Sequence, residues 1–207
     1  MRERQHEVVR DATLTFAHIL KQQLPPFLDE KQRVIECVFE IPDSKKVEKA
    51  HSEGKVLLSV ILIDVNRSTI AQTSEQPIVR EEDEQGNIVE YKMGSPTFIM
   101  PRYLVTPWTG DPLHDQVLVG LILKVFFARS QFQPEDIQGD SIYGESGPLV
   151  MLIEQFNLER QMKFWQVLGH PYRPSLVYGV NLLMESMTKS IVRRVKERVL
   201  DFKKLEG

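Results

Sequence analysis

Cysteine is almost missing from the 207 residues: Cys37 stands alone, so no internal disulfide can form and folding cannot depend on oxidation. A strong charge of either sign is missing as well. The formal net charge is −3, whereas a dedicated nucleic-acid binder carries a markedly basic domain. No apolar run is long enough to span a bilayer, which takes about 20 residues. The start, Met1-Arg2-Glu3-Arg4-Gln5-His6-Glu7, is charged and leads into an amphipathic pattern, unlike a secretory signal. The chain is therefore expected to be made and folded in the cytoplasm, with neither nucleic acid nor membrane as partner. Nor is there a glycine-rich phosphate loop, a paired-histidine zinc motif or a dinucleotide fingerprint. What is abundant is apolar surface: 42% hydrophobic residues suffice for one ordinary globular domain, with room for an appendage.

The stretch that the rest must fit around is Tyr103 to Arg129. Tyr103-Leu-Val-Thr-Pro-Trp108 is β-branched and aromatic and predicts a strand. In the turn that follows, Asp111 suits an N-cap and Pro112 a first helical position. From Val117 to Ala128 the helix is apolar all round apart from Lys124. A helix lacking a polar face must be covered on more than one side, by a second layer of the chain or by a neighbouring subunit.

Elsewhere, residues 7 to 24 place Val9, Ala12, Phe16, Ile19 and Leu20 on one helical face, and Pro25-Pro26 ends it. Val34 to Ile41 alternates as a strand with one wet face, and 42 to 54 reads as a polar loop. Val56 to Val65 reads as a central strand covered on both faces. Residues 66 to 95 form a polar excursion, with Gly86-Asn87 as a hairpin turn and Arg80-Glu81-Glu82-Asp83-Glu84 as a solvated acidic run. Phe98 to Thr106 is the next strand, and Pro101 within it suggests an edge or a bulge. Ser130 to Pro148 is loop, Leu149 to Phe156 a short strand, and Leu158 to Leu168 a helix with Met162, Trp165 and Leu168 on one face and Gly169 as its stop. His170-Pro-Tyr-Arg-Pro174 is a rigid connector before a last core strand, Ser175 to Met184. The expected domains are a core at 1–186 and an arm at 187–207. The arm carries seven basic residues against three acidic ones, and its pattern fits helix and strand equally.

Catalytic, cofactor-binding and metal-ligating residues are all expected to be absent. Asp111, His114 and Asp115 have metal-ligating types, yet an N-cap and first-turn acids that complement the helix dipole account for the carboxylates. Gly144-Glu-Ser146-Gly147 lacks the spacing and the strand-to-helix setting of a nucleophile elbow. Cys37, on the apolar side of a strand, reads as a structural thiol. The candidate residues are instead contact residues: Trp108, Lys124, Arg173 and, in the arm, Arg194, Val195, Val199 and Phe202. Arg173, between Tyr172 and Pro174, fits either a buried ion pair or an interface rim.

Two segments carry a resemblance. Tyr103-Leu-Val-Thr-Pro-Trp108, followed by the acid- and histidine-bearing helix start and Leu121-Ile-Leu-Lys-Val125, is the first. Phe164-Trp-Gln-Val-Leu-Gly-His-Pro-Tyr-Arg-Pro-Ser-Leu-Val-Tyr178 is the second and the more specific. Together, and over roughly residues 7 to 185, the chain resembles the tube-terminator, or cap, proteins of contractile injection systems, the phage-tail-like particles of bacteria and archaea. The resemblance implies an α+β fold, a mostly antiparallel sheet of about five strands flanked by helices, as in phage tail terminators. It further implies a non-enzymatic, hexameric ring that closes the distal end of the inner tube, stops tube polymerisation and ties the tube to the sheath. The tube protein, the sheath protein and copies of the chain itself are then its partners, and the finished particle its destination. A baseplate or sheath-associated adaptor of the same kind of particle is the alternative.

Overall fold

The computed structural model describes residues 5–25, 34–68, 76–82, 85–142, 148–153, 157–186 and 188–192. These fall into two compact units, one from residues up to 72 and 97–184, the other from 73–96 and 185 onward.

The first unit is built on a five-stranded sheet of order β1-β2-β5-β7-β6. Its strands are β1 (Val34–Val38), β2 (Lys55–Arg67), β5 (Thr97–Trp108), β6 (Leu149–Leu152) and β7 (Leu176–Met184). Only β1 and β2 run parallel; the other pairs are antiparallel. The expected α+β fold, a mostly antiparallel sheet with helices on it, is the fold found. Helix α1 (Val8–Gln23) and helix α3 (Pro112–Ala128) cover one face. Phe16 of α1 stacks on Phe126 of α3 with ring centroids 4.6 Å apart, and Tyr103 and Tyr178 rise from the sheet to meet them. The opposite face is covered by α2 (Ser44–Ser52) and α4 (Leu158–Val167), around Ala50, Leu57, Leu104, Trp108 and Trp165.

Helix α2 corrects the reading of 42–54 as a loop. Its one apolar contact row, Val47 and Ala50, is too short to register as a stripe. The cap is nevertheless legible in retrospect, since the Asp43 carboxylate accepts the N–H of Lys46 at 2.7 Å. Parallel neighbours also require a crossover, and α2 supplies it between β1 and β2. Strand β1 is shorter than expected: the chain leaves the sheet after Val38, and Phe39 is exposed.

Strand β2 is covered on both faces only over Val56 to Val60; beyond, Leu62 and Val65 are exposed at 43% and 45%. The reason is that β1 reaches only to Ser59, leaving the far half of β2 paired to β5 alone. Pro101 does not mark an edge, because β5 is the middle strand. It marks an irregularity. The ladder to β7 passes from Ile99 opposite Leu182 to Arg102 opposite Gly179, and the register to β2 shifts between Leu62 and Asp64. Gly179 packs closely there: a Cβ on it would lie 2.9 Å from the Met100 sulfur, so the Met100 side chain would have to shift. In α4 only Trp165 of the expected face is buried; Met162 and Leu168 are exposed.

The second unit contains a three-stranded antiparallel sheet, β3 (Ile78–Glu82), β4 (Ile88–Met93) and β8 (Lys189–Ile191), in that order. The hairpin turn falls where expected, with Gly86 at φ +80°. Of the two readings of the arm, its start is strand. Lys189 pairs with Glu81 across the sheet at 2.8 Å. The contact candidates Arg194, Val195, Val199 and Phe202, and the Gly144–Gly147 segment, lie outside the described residues.

Candidate functional site

The expected helix start is realised atom by atom. The Asp111 carboxylate accepts the N–H of Leu113 at 2.8 Å, and Pro112 opens α3. Of the helix, Leu118, Ile122, Val125 and Phe126 go into the core. A second row stays outside it: Leu113, Val117 and Phe127 are 69%, 57% and 73% exposed, with Gly120 and Lys124 exposed between them. The spacing of four, then three, then four, then three residues keeps this row on one side of the helix. Nothing lies within 4 Å of a Cβ built on Gly120, so this face is also smooth at its centre. Lys124, the one charge expected on the helix, belongs to this exposed row and not to the core.

A second cluster joins two other candidates that are far apart in sequence. The Arg173 guanidinium lies 4.3 Å above the Trp108 ring and donates from Nη1 to Asp115 Oδ2 at 3.1 Å. Asp115, in the first turn of α3, is itself fixed by the N–H and hydroxyl of Thr109, at 2.9 Å and 2.8 Å on Oδ1. Trp108 is held from behind: its indole N–H donates to the Ser59 hydroxyl at 2.9 Å, and its ring meets Trp165 edge-on at 6.0 Å. The Ser175 hydroxyl closes the loop by donating to the Arg173 carbonyl at 2.9 Å and meeting Thr106 Oγ1 at 2.8 Å. Arg173 is therefore both an ion-pair partner and partly open, with its side chain 31% exposed.

In front of Arg173 opens a cavity of about 250 Å³, walled by Pro42, Val47, Trp108, His170, Pro171 and Arg173 itself. Ser44 and Glu48 of α2 complete its polar rim. The reading of the sequence missed α2 and so missed half of this wall. From the sequence Asp115 reads as a plain first-turn acid, although Thr109, two residues before the N-cap, is a local signal that the turn binds side chains.

The remaining candidates are structural. Cys37 is buried with its thiol toward the Ala17 carbonyl at 3.6 Å, and burial raises its pKa to about 12. Among the described residues no group of three or more His, Cys, Asp or Glu could hold a metal ion, and no helix is long and apolar enough to cross a membrane. Among the described residues the arrangement offers exposed surfaces and the small cavity in front of Arg173.

Two solved structures share this fold. One is the sheath/tube terminator of PVC, an extracellular contractile injection system, in its extended state: TM-score 0.57 and 18% identity, over 100% of this chain and 66% of that one. The other is the tube-terminating cap of the anti-feeding prophage: TM-score 0.58 and 19% identity, over 89% of this chain and 59% of that one. The chain thus spans less than two thirds of the length of either. No curated protein matches it. The model of the Pvc16 N-terminal domain family matches residues 11–196, which takes in the whole five-stranded sheet, α1 from Asp11 on, the other three helices and the β3-β4-β8 sheet. On that match, the chain belongs to the Pvc16 N-terminal domain family.

Proposed function

We propose that the chain is a structural, non-enzymatic cap of a contractile injection particle. Copies of it form a ring on the distal end of the inner tube, end tube polymerisation and anchor the sheath. The observation that carries this reading is the exposed apolar row of α3, Leu113, Val117 and Phe127, on a chain of this family. Left in water, such a row is costly, and closure of a ring covers it. Its complement lies on the other side of the same sheet, where α4 exposes Leu158, Met162, Val167 and Leu168. Two unlike apolar faces on opposite sides of one unit are what a head-to-tail contact uses, and such contacts close when the rotation divides the circle. Six copies follow from the resemblance to hexameric caps.

In this reading the arm at 187–207 reaches the sheath by adding a strand. Its start, β8, is already an edge strand of its sheet. Assembly takes place in the cytoplasm, after which the cap stays with the particle. Electron microscopy of particles from producing cells, with and without the gene, tests the reading. Sheathed tubes of one length should give way to naked or overlong tubes on deletion. Full-length contractile particles that lack only some other component would overturn it in favour of an adaptor.

A further inference from the structure

We infer that the cavity in front of Arg173 is a binding site for a chain-terminal carboxylate that carries an apolar side chain. Among the described residues the only hydrogen bond of the Arg173 guanidinium is the one from Nη1 to Asp115. Its Nε and Nη2 donors remain for a ligand. An arginine prefers to meet a carboxylate through two parallel N–H donors, and stacking on Trp108 holds this one flat for that purpose. It is also oriented in advance. Asp115 is locked by Thr109, Trp108 by Ser59, and the Arg173 backbone by Ser175, so little rotamer freedom is left to lose on binding.

The other walls set the rest of the ligand. Pro42, Val47, Pro171 and the Trp108 and His170 rings give an apolar lining, and about 250 Å³ holds one side chain with its terminal carboxylate but no extended segment. Because apolar wall and guanidinium face the same small space, side chain and carboxylate must belong to one residue. That describes the last residue of a chain, which uses the apolar wall as a bare anion or an acidic side chain on a polar stretch does not. Glu48, which also lines the cavity, is exposed, and it disfavours a ligand with further negative charge. The cap reading supplies only the source of this ligand, the C-terminus of a subunit met in the particle. The site is tested without it.

The test is a titration of the full chain labelled with fluorotryptophan, followed by fluorine NMR. The chain has two tryptophans, Trp108 and Trp165, and a Trp108→Phe sample assigns the signals. The probes are N-acetyl-leucine and N-acetyl-leucinamide, identical but for the carboxylate. The acid should shift the Trp108 signal saturably, and the amide should bind roughly tenfold more weakly, as loss of a charge-assisted pair implies. Arg173→Lys keeps the charge but not the paired donors and should lose most of the acid's advantage. Equal binding of acid and amide, no saturable shift with either, or full acid binding by Arg173→Lys would each overturn the inference. Failure here would leave the cap reading untouched, and failure of the cap reading would leave this titration valid.

Discussion

Asp11 sits in the first turns of α1 and is completely buried. One carboxylate oxygen accepts the Ser141 N–H at 3.2 Å and its hydroxyl at 2.6 Å; the other accepts from Arg10 at 2.8 Å. Gly139 closes over it with φ +89°, and a Cβ there would lie 2.3 Å from Oδ2. The helix is thereby latched to a loop 130 residues later. Burial pushes the Asp11 carboxyl up, but the bonds from Ser141 and Arg10 outweigh it, and the net pKa lies below the ordinary 3.8. A lowered folded-state pKa stabilises above the unfolded value and is lost as pH falls through the folded one. Stability contributed by the latch should therefore be intact at neutral pH and decline below about pH 4. Gly139→Ala should cost about 3 kcal/mol in denaturant unfolding, through both the positive φ and the clash. It should also flatten the acid limb. A neutral Gly139→Ala would refute the latch. None of this was legible locally: Asp11 looks like one more polar residue of an amphipathic helix, and its partner is known only once the loop is placed.

At the scale of elements, local chemistry was most readable where it was densest. The cap of α3, its length and its lack of a polar face all follow from Asp111, Pro112 and the run after them. Its core-facing and outward rows are not separable in the sequence, because both are apolar. Conversely charge hides α2, and the apolar run of β2 does not reveal where a neighbouring strand stops. The outward row of α3 gives a pair of opposed effects. Gly120→Ala adds a methyl in open space and should raise the stability of the single chain by up to about 1 kcal/mol. Val117→Asp, at an exposed position, should change that stability by less than about 0.5 kcal/mol. Both should weaken ring formation, the first by bulk at the centre of the face, the second by burying a carboxylate. Thermal melting together with light scattering separates the two quantities. Full-sized rings in both variants would show that α3 faces something other than a second copy.

For the whole molecule, the informative feature is where the chain leaves the first unit and where it returns. Strands β2 and β5 are antiparallel neighbours, with Arg67 opposite Ile99 and the Ser68 N–H donating to the Phe98 carbonyl at 2.8 Å. In the chain the excursion connects these two strands, and the arm follows Met184, which lies opposite Thr97 of β5. The sequence marks both segments as distinct from the core. It does not disclose that they share a sheet, since pairing of Tyr91 with Ile191 or Met93 with Lys189 links residues about a hundred positions apart, each in a short polar strand. A chain in which an Asn-Gly turn joins Ser68 to Thr97, and which ends after Met184, keeps every strand and helix of the first unit. It should unfold in one cooperative step, with the helical signal of its four helices retained. The apolar faces of α3 and α4 remain on it, so it should still assemble into rings. What it should lose is attachment to the sheath, because β8 and the arm that continues from it are gone. Pull-down of sheath subunits by the full chain and not by the shortened one would assign tube closure to the first unit and sheath anchoring to the second. Rings that vanish with the second unit would move the subunit contact away from α3 and onto the β3-β4-β8 sheet.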